Sequence, residues 1–152
     1  MEAHQVRILA PLVAGLGAVI CTIVIHALAL STTVRFFRHE RKLGRLGLRL
    51  STDLPIAALV ILFAFVAHLL EIALWAELFL ICGEFSQFGA AYYHSAVNYT
   101  TLGYGDVIMT ARWKLLGPIE AADGALMFGV STGIVFGVIQ SMLLTRYEDL
   151  RE

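Results

Sequence analysis

Charged residues are scarce in this chain: Asp, Glu, Lys and Arg make up only 15% of its 152 residues, whereas hydrophobic residues make up 59%. A soluble domain usually carries about 25% charged residues, so the composition indicates that lipid is the solvent. The chain has only two cysteines and three prolines. This composition excludes a disulfide scaffold, a collagen-like repeat and a disordered chain. Cys21 and Cys82 each lie in an apolar segment, and we expect both to be free thiols.

Long apolar runs, in contrast, are abundant and predict three membrane-spanning helices. Residues 8–34 carry no formal charge over 27 residues, which is enough for a tilted helix across a hydrocarbon core of about 30 Å. Asp53 and Pro55 precede the second run, and we expect them to cap and open a helix over residues 54–82. The third run predicts a helix over residues 113–145.

A signal peptide is the alternative interpretation of the first run, because Ala27-Leu28-Ala29 resembles a cleavage site. The run is longer than the roughly 7–15 apolar residues of a signal peptide. A signal peptide would also require export of the basic stretch that follows. We therefore predict that segment 1–34 contains a membrane helix.

Positive charge is concentrated between the first and second runs. Lys and Arg near the ends of spans favour the cytoplasm, so the linker 35–53 and the tail 147–152 are predicted to be cytoplasmic and the N-terminus external. The same stretch gives no support to nucleic-acid binding. Six of the eleven Lys and Arg residues lie there, namely Arg35, Arg38, Arg41, Lys42, Arg45 and Arg49.

The spacing of Arg35, Arg38 and Arg41 also resembles the gating charges of a voltage-sensing helix. His39 and Glu40 do not suit such a helix, so we favour an interfacial amphipathic segment. The apolar residues expected to face lipid from this segment are Leu43, Leu46 and Leu50.

The segment between the second and third runs carries the most informative residues. Residues 87–99 predict a short helix, and the chain continues as Thr100-Thr101-Leu102-Gly103-Tyr104-Gly105-Asp106. Six consecutive positions of that stretch resemble the Thr-x-Gly-Tyr-Gly-Asp signature of the potassium channel pore family. In that family the signature lies between an outer and an inner membrane helix, and the resemblance covers residues 54–146. The fold class expected is all-α, with three spans and a re-entrant pore helix and selectivity filter.

The resemblance implies a K⁺-selective channel in the plasma membrane. One loop supplies one quarter of the coordination, so a homotetramer is expected, with lipid and K⁺ as its other partners and no cofactor or catalytic residue. Backbone carbonyls of such a filter replace the hydration shell of K⁺. Gly103 and Gly105 tolerate the positive φ that this geometry requires, Tyr104 is expected to pack behind the filter, and Asp106 marks its outer mouth. The ion-binding residues implied are Thr101, Leu102, Gly103, Tyr104 and Gly105.

Two ionisable residues of the spans, Glu71 and Glu120, are expected to support the filter. Charge inside a membrane is costly, so we expect both to accept hydrogen bonds beside the pore helix, as we expect for Glu77 and Asp123. His68 lies three residues before Glu71 and is its expected partner. His26 is expected to be a solitary polar residue satisfied by a neighbouring helix. The remaining support residues implied are Thr100, Tyr93, His94 and Asp106.

Two positions depart from the family pattern. Val97 stands where some members carry a glutamate, and Tyr93-His94 stands where many carry a tryptophan pair, which alters the bracing of the filter more than its selectivity. We expect His94 to lie behind Tyr104 and to donate a hydrogen bond to Asp106, which would make filter stability sensitive to external pH. The alternative is a histidine packed in the subunit wall and bonded to backbone.

The third run contains several closely spaced glycines. Gly129-Val130-Ser131-Thr132-Gly133 matches the hydrolase nucleophile elbow, but it lies in a helical run and lacks the strand-to-helix turn of that motif. Gly129, Gly133 and Gly137 instead predict a face of small residues for close helix packing. Gly124 and Gly129 are the candidates for a gating hinge, with ordinary close packing as the alternative.

Two other functions stay open at this point. A weakly selective cation channel would use the same segment, and a non-conducting membrane scaffold or assembly subunit would use only the helices. A chance glycine-rich surface loop is disfavoured, because it would expose unsatisfied backbone groups to lipid. Sodium and calcium channels fit less well, since they place side chains where this sequence has Gly-Tyr-Gly.

Overall fold

The structure, a computed structural model, describes residues 8–46 and 50–147. Both chain termini, Arg49 and the tail beyond Tyr147 lie outside the described residues, as does the side chain of Leu50.

The described residues form four α-helices and no strands. Their bounds are α1 (Leu9–Lys42), α2 (Leu50–Ile81), α3 (Phe88–Tyr99) and α4 (Leu116–Arg146). Helices α1, α2 and α4 are long and apolar enough to cross a membrane. The predicted all-α fold, with three spans and a short helix between the second and third, is therefore confirmed.

Helix α1 extends further than predicted, because it continues through the basic stretch to Lys42. Cationic side chains at a helix C-terminus interact favourably with the helix dipole. The helix ends where Gly44 takes a φ of 65° and donates its N–H to the Arg41 carbonyl. Leu46 does not face lipid as expected, since it is buried in a cluster with Ile56 and Val138. The linker between α1 and α2 is thus shorter than the predicted segment 35–53.

Asp53 has a different role from the one predicted. It lies in the first turn of α2, which begins at Leu50, and Pro55 lies inside the helix. The Asp53 carboxylate accepts a hydrogen bond of 2.5 Å from the Arg146 guanidinium. Because Arg146 is the last residue of α4, this ion pair joins the beginning of α2 to the end of α4.

Helix α3 packs against both α2 and α4. Trp75, Phe79, Tyr99 and Leu116 are fully buried members of one core cluster at this contact. Helices α3 and α4 approach each other closely at Gly124, where an added Cβ would lie 2.1 Å from the Tyr99 carbonyl oxygen. Only a residue without a side chain lets α4 come this close to the end of α3.

We expect Gly124→Ala to destabilise the protein by about 1–3 kcal/mol, because a methyl group there overlaps backbone rather than a movable side chain. The measurement is the thermal unfolding midpoint of the purified protein in detergent. Gly129→Ala is the matched control, since an added Cβ at Gly129 meets nothing within 4 Å. Equal midpoints for the two variants would show that the contact is not tight.

Candidate functional site

The end of α3 holds residues 100–106, which we call the filter segment. The Val97 carbonyl accepts two of its N–H groups, from Leu102 at 3.0 Å and from Gly103 at 3.2 Å. Thr101 donates its N–H to the Asn98 carbonyl at 2.8 Å. In the described part of the chain, no backbone N–H donates to a carbonyl of residues 101–105. Several N–H groups of the segment thus donate to carbonyls of α3, whereas the carbonyls of residues 101–105 receive no such donor.

The backbone of the filter segment alternates in handedness. Thr101, Gly103 and Gly105 have φ values of 60°, 60° and 71°, and the residues between them do not have positive φ. Alternation at every second residue turns successive carbonyls towards the same side of the chain. The two glycines were predicted to take this conformation. Thr101 was not, and positive φ in a β-branched residue is a strained conformation typical of functional sites.

The side chains of the filter segment are poorly covered by their own chain. Leu102 is 54% exposed and Tyr104 is 67% exposed, so the expected packing of Tyr104 behind the filter is not made within the single chain. A cavity of about 360 Å³ lies beside the segment. Its lining includes His94, Val97 and Asn98 of α3 and Gly117 of α4.

At the far end of the segment, Tyr93 and not His94 contacts Asp106. The Tyr93 hydroxyl donates to Asp106 Oδ2 at 2.7 Å, and this bond raises the pKa of Tyr93. His94 is buried between Phe79 and Phe85, with ring centroids 5.3 and 5.1 Å away. Successive helical residues point about 100° apart, so only one of the two can face the carboxylate. The expected hydrogen bond from His94 to Asp106 is therefore wrong.

His94 has other partners. Its Nε2 accepts a hydrogen bond from Asn98 Nδ2 at 2.9 Å, and the ring also bonds to the backbone of Val107. Burial lowers the pKa of His94, although the nearby charges of Asp106 and Glu84 oppose that effect. This placement agrees with the alternative prediction, in which the histidine is packed among neighbouring side chains and bonded to backbone.

The loop that follows the filter segment is tied to the end of α2 by Glu84. Its carboxylate accepts the Thr110 N–H at 2.7 Å and the Thr110 hydroxyl at 2.5 Å. Reasoning from sequence missed this pair, because the two residues lie 26 positions apart and neither belongs to a motif. The contact fixes the return of the chain towards α4.

Two buried carboxylates of α4 connect the helices behind the filter segment. Glu120 accepts a hydrogen bond of 2.5 Å from Ser95 of α3. Asp123 Oδ2 accepts from Trp75 Nε1 of α2 at 2.9 Å and from Thr22 Oγ1 of α1 at 2.8 Å. Glu77, in contrast, is exposed. The structure therefore places Glu120 against the short helix, whereas Asp123 joins the three spans to one another.

A second polar group, which we call the histidine cluster, consists of His26, His68, Glu71, Tyr99 and Ser131. Glu71 Oε1 lies 2.8 Å from His26 Nδ1, and Glu71 Oε2 lies 3.0 Å from His68 Nδ1 and accepts a hydrogen bond from the Tyr99 hydroxyl. Ser131 Oγ lies 3.1 Å from His26 Nε2 and 2.9 Å from His68 Nε2. The structure pairs His68 with Glu71, but His26 is not solitary, and the role of Ser131 was missed.

The order of contacts Ser131, His26, Glu71 resembles a hydrolase triad. Three observations oppose that function. The motif around Ser131 lies inside α4 and forms no strand-to-helix turn. Ser131 is only 6% exposed, and its Oγ contacts two imidazoles at once. Acyl transfer needs an accessible nucleophile, and this serine is not accessible.

The two hinge candidates differ in their surroundings. Gly124 is buried against Tyr99, whereas an added Cβ at Gly129 meets no atom within 4 Å. Thr100, the remaining support candidate, donates its hydroxyl to the Ala96 carbonyl at 2.7 Å. The same carbonyl also accepts the Thr100 N–H at 3.1 Å, so Thr100 is bonded to the last turn of α3 through both its backbone and its side chain.

The burial of His94 has a consequence for stability. Because its pKa is lowered in the folded chain, the unfolded chain takes up a proton more readily as the pH falls below about 6.5. We expect the thermal midpoint to fall between about pH 7.5 and about pH 5.5, and to fall less in His94→Phe. His39→Gln, at an exposed position, should keep the wild-type slope. Parallel slopes for wild type and His94→Phe would contradict this assignment.

In a comparison with known protein families, residues 56–141 match the model of a family described as ion channel. The match includes most of α2, the whole of α3, the filter segment and most of α4, and it leaves out α1. No match was found among curated proteins or among solved structures. Since the matched residues make up more than half of the 152, the chain belongs to this ion channel family.

Proposed function

We propose that the chain forms a potassium-selective channel, in which the filter segments of four copies surround one pore. The observation that carries this proposal is the backbone of the filter segment. Positive φ at Thr101, Gly103 and Gly105 directs successive carbonyls to one side, and no backbone N–H of the described residues occupies them. Rings of backbone carbonyls are the ligands that K⁺ channels use in place of water.

The proposed ligands are the carbonyls of Thr101, Leu102, Gly103 and Tyr104, with the Thr101 hydroxyl below them. Gly105 allows the chain to leave the filter, and Asp106 holds the outer mouth through Tyr93. The C-terminus of α3 precedes the filter segment, and the negative end of its dipole favours a cation nearby. Each residue type in the segment therefore has a physical reason for its place.

The exposure of the filter segment supports assembly with other copies. Irregular backbone at membrane depth is tolerated only where protein covers it or where it lines water. One chain leaves Leu102 and Tyr104 more than half exposed beside a cavity of about 360 Å³. We propose that a neighbouring copy covers the segment and that the Tyr104 side chain of that copy fills this cavity. The same contact repeated around the pore gives the homotetramer.

Gating is proposed to use a bend in α4. Gly129 has the free space for such a bend that Gly124 lacks, because Gly124 is packed against Tyr99. The ion pair between Asp53 and Arg146 restrains the end of α4 that lies beyond Gly129. Movement of this end would therefore require that ion pair to separate or to move with α2.

We expect liposomes containing the purified protein to pass K⁺ and Rb⁺ and to pass little Na⁺, because the carbonyls match a dehydrated K⁺. Gly103→Ala should abolish the flux, since a Cβ opposes positive φ. Gly89→Ala is the matched control: Gly89 lies in α3, lacks a positive φ and has open space around it. Flux is measured with a cation-sensitive dye in the liposomes.

Other outcomes of that measurement favour the alternatives. Equal passage of Na⁺ would favour a weakly selective cation channel. Absence of all flux from correctly assembled wild-type protein would favour a membrane scaffold or assembly subunit.

We also propose a plasma membrane location with the N-terminus outside and the C-terminus in the cytoplasm, because basic residues near span ends favour the cytoplasm. In a Cys21→Ser, Cys82→Ser background, an impermeant maleimide should label Arg112→Cys on intact cells. It should label Arg38→Cys only after permeabilisation. Both positions are exposed. Labelling of Arg38→Cys on intact cells would reverse the orientation.

A further inference from the structure

The histidine cluster is buried in the middle of the helix bundle. His26 of α1, His68 of α2 and Ser131 of α4 are buried, and Glu71 has no exposed surface. Polar groups inside a membrane protein mark functional sites because leaving them unpaired is costly. Each buried hydrogen-bond donor and acceptor of the cluster therefore needs a partner.

With neutral histidines and an ionised Glu71, the hydrogen-bond donors and acceptors of the cluster cannot all be paired. If both Nδ1 atoms carry hydrogens and donate to Glu71, both Nε2 atoms become acceptors that face the Ser131 hydroxyl. A hydroxyl has one hydrogen, so one buried Nε2 is left without a donor. If the hydrogens are instead on Nε2, two bare Nδ1 atoms face carboxylate oxygens at 2.8 and 3.0 Å. If one ring carries its hydrogen on Nδ1 and the other on Nε2, Ser131 can pair with both, but one bare Nδ1 still faces a carboxylate oxygen. In each of the three arrangements at least one buried contact lacks a hydrogen, so the cluster needs a further cation.

We propose that the histidine cluster binds a divalent metal ion of the zinc class, with His26 Nδ1, His68 Nδ1 and a Glu71 oxygen as ligands. One ligand atom from each residue lies within 4.8 Å of the others. Ligands of a tetrahedral zinc ion at 2.0–2.1 Å are about 3.4 Å apart, so the side chains need only small movements. Imidazole nitrogen with carboxylate oxygen is a donor set that zinc favours and that magnesium and calcium do not.

Metal binding at the Nδ1 atoms also resolves the hydrogen bonds on the other side of the rings. Both imidazoles then carry Nε2–H, and Ser131 Oγ has two lone pairs to accept from them. The Ser131 hydroxyl keeps its own hydrogen for the Met127 carbonyl at 3.1 Å. Metal-binding histidines nearly always donate their second N–H to such an outer partner.

Tyr99 is placed to supply the fourth ligand. Its hydroxyl contacts Glu71 Oε2 and lies 3.3 Å from His68 Nδ1. A divalent ion with two neutral imidazoles and one carboxylate has a net charge of +1, so loss of the Tyr99 hydroxyl proton makes the complex neutral. Because Tyr99 ends α3, the ion would join α1 and α2 to the helix that carries the filter segment.

The test uses the full chain, expressed with zinc in the medium and purified in detergent without chelators. We expect about one zinc per chain by elemental analysis, and we expect a higher thermal midpoint than in protein stripped with a chelator. Cobalt supplied in place of zinc should give the visible absorption of a four-coordinate site. This spectrum is a direct readout of ligands and does not depend on ion flux.

Variants separate the cluster from surface histidines. His26→Gln and His68→Gln should lose the bound zinc and the cobalt spectrum, whereas His39→Gln, at an exposed position, should keep both. Ser131→Ala retains every ligand and should weaken zinc binding by about 10–100-fold, the usual effect of removing an outer partner. If the ligand variants do not fold, Ser131→Ala still tests whether zinc binding depends on the histidine cluster.

Two results would overturn the proposal. The first is wild-type protein that contains no stoichiometric zinc and gives no cobalt spectrum. The missing cation would then be a proton, and ¹⁵N NMR of the histidines would show one imidazolium. The other is zinc that remains bound in folded His26→Gln and His68→Gln, because the ion would then belong to another site.

Discussion

The filter segment takes its position from the C-terminal end of α3, and that end is held on two sides by contacts within the bundle. The Tyr99 hydroxyl is bound by Glu71 of α2, and the Tyr99 carbonyl lies against Gly124 of α4, where there is no room for a Cβ. Val97, two residues earlier, accepts two N–H groups of the filter segment. A shift of α3 would therefore change the bonds that set the backbone of residues 101–103.

Buried polar contacts, more than apolar packing, specify how the spans meet. Lipid tails are as apolar as leucine, so the hydrophobic effect does not distinguish a helix neighbour from lipid, whereas interhelical hydrogen bonds do. Asp123 is contacted by Thr22 of α1 and Trp75 of α2, and Glu120 is contacted by Ser95 of α3. Helix α1 lies outside the residues matched to the ion channel family, yet Thr22 and His26 bind it to the interior of that region.

The backbone of the filter segment depends on contacts with the residues around it. Thr101 takes a positive φ that its β-branched side chain disfavours, so the surrounding contacts have to hold it. The bonds from Leu102 and Gly103 to Val97 on one side, and from Tyr93 to Asp106 on the other, supply that restraint. The carbonyls between these two anchors accept no backbone N–H within the described part of the chain.

Much of this protein follows from local sequence, because span length, apolar composition and glycine conformation are properties of consecutive residues. The three spans and the short helix over about residues 87–99 were predicted on that basis. The positive φ of Gly103 and Gly105 was predicted from the resemblance to the potassium channel pore family, whose filter geometry requires it. The end of α1 at Lys42 was misjudged, because the basic residues of its last turns were interpreted as part of a linker.

Which side chains meet depends instead on how the helices are rotated against one another. Residues far apart in sequence carry no local signal of their contact. That is why Tyr93 and not His94 contacts Asp106, why Glu84 binds Thr110, and why His26 shares Glu71 and Ser131 with His68. The sequence by itself determined the helices and the filter segment, whereas only the tertiary structure decided the pairing of the buried polar groups, because each pairing needs faces of two or three helices brought into register.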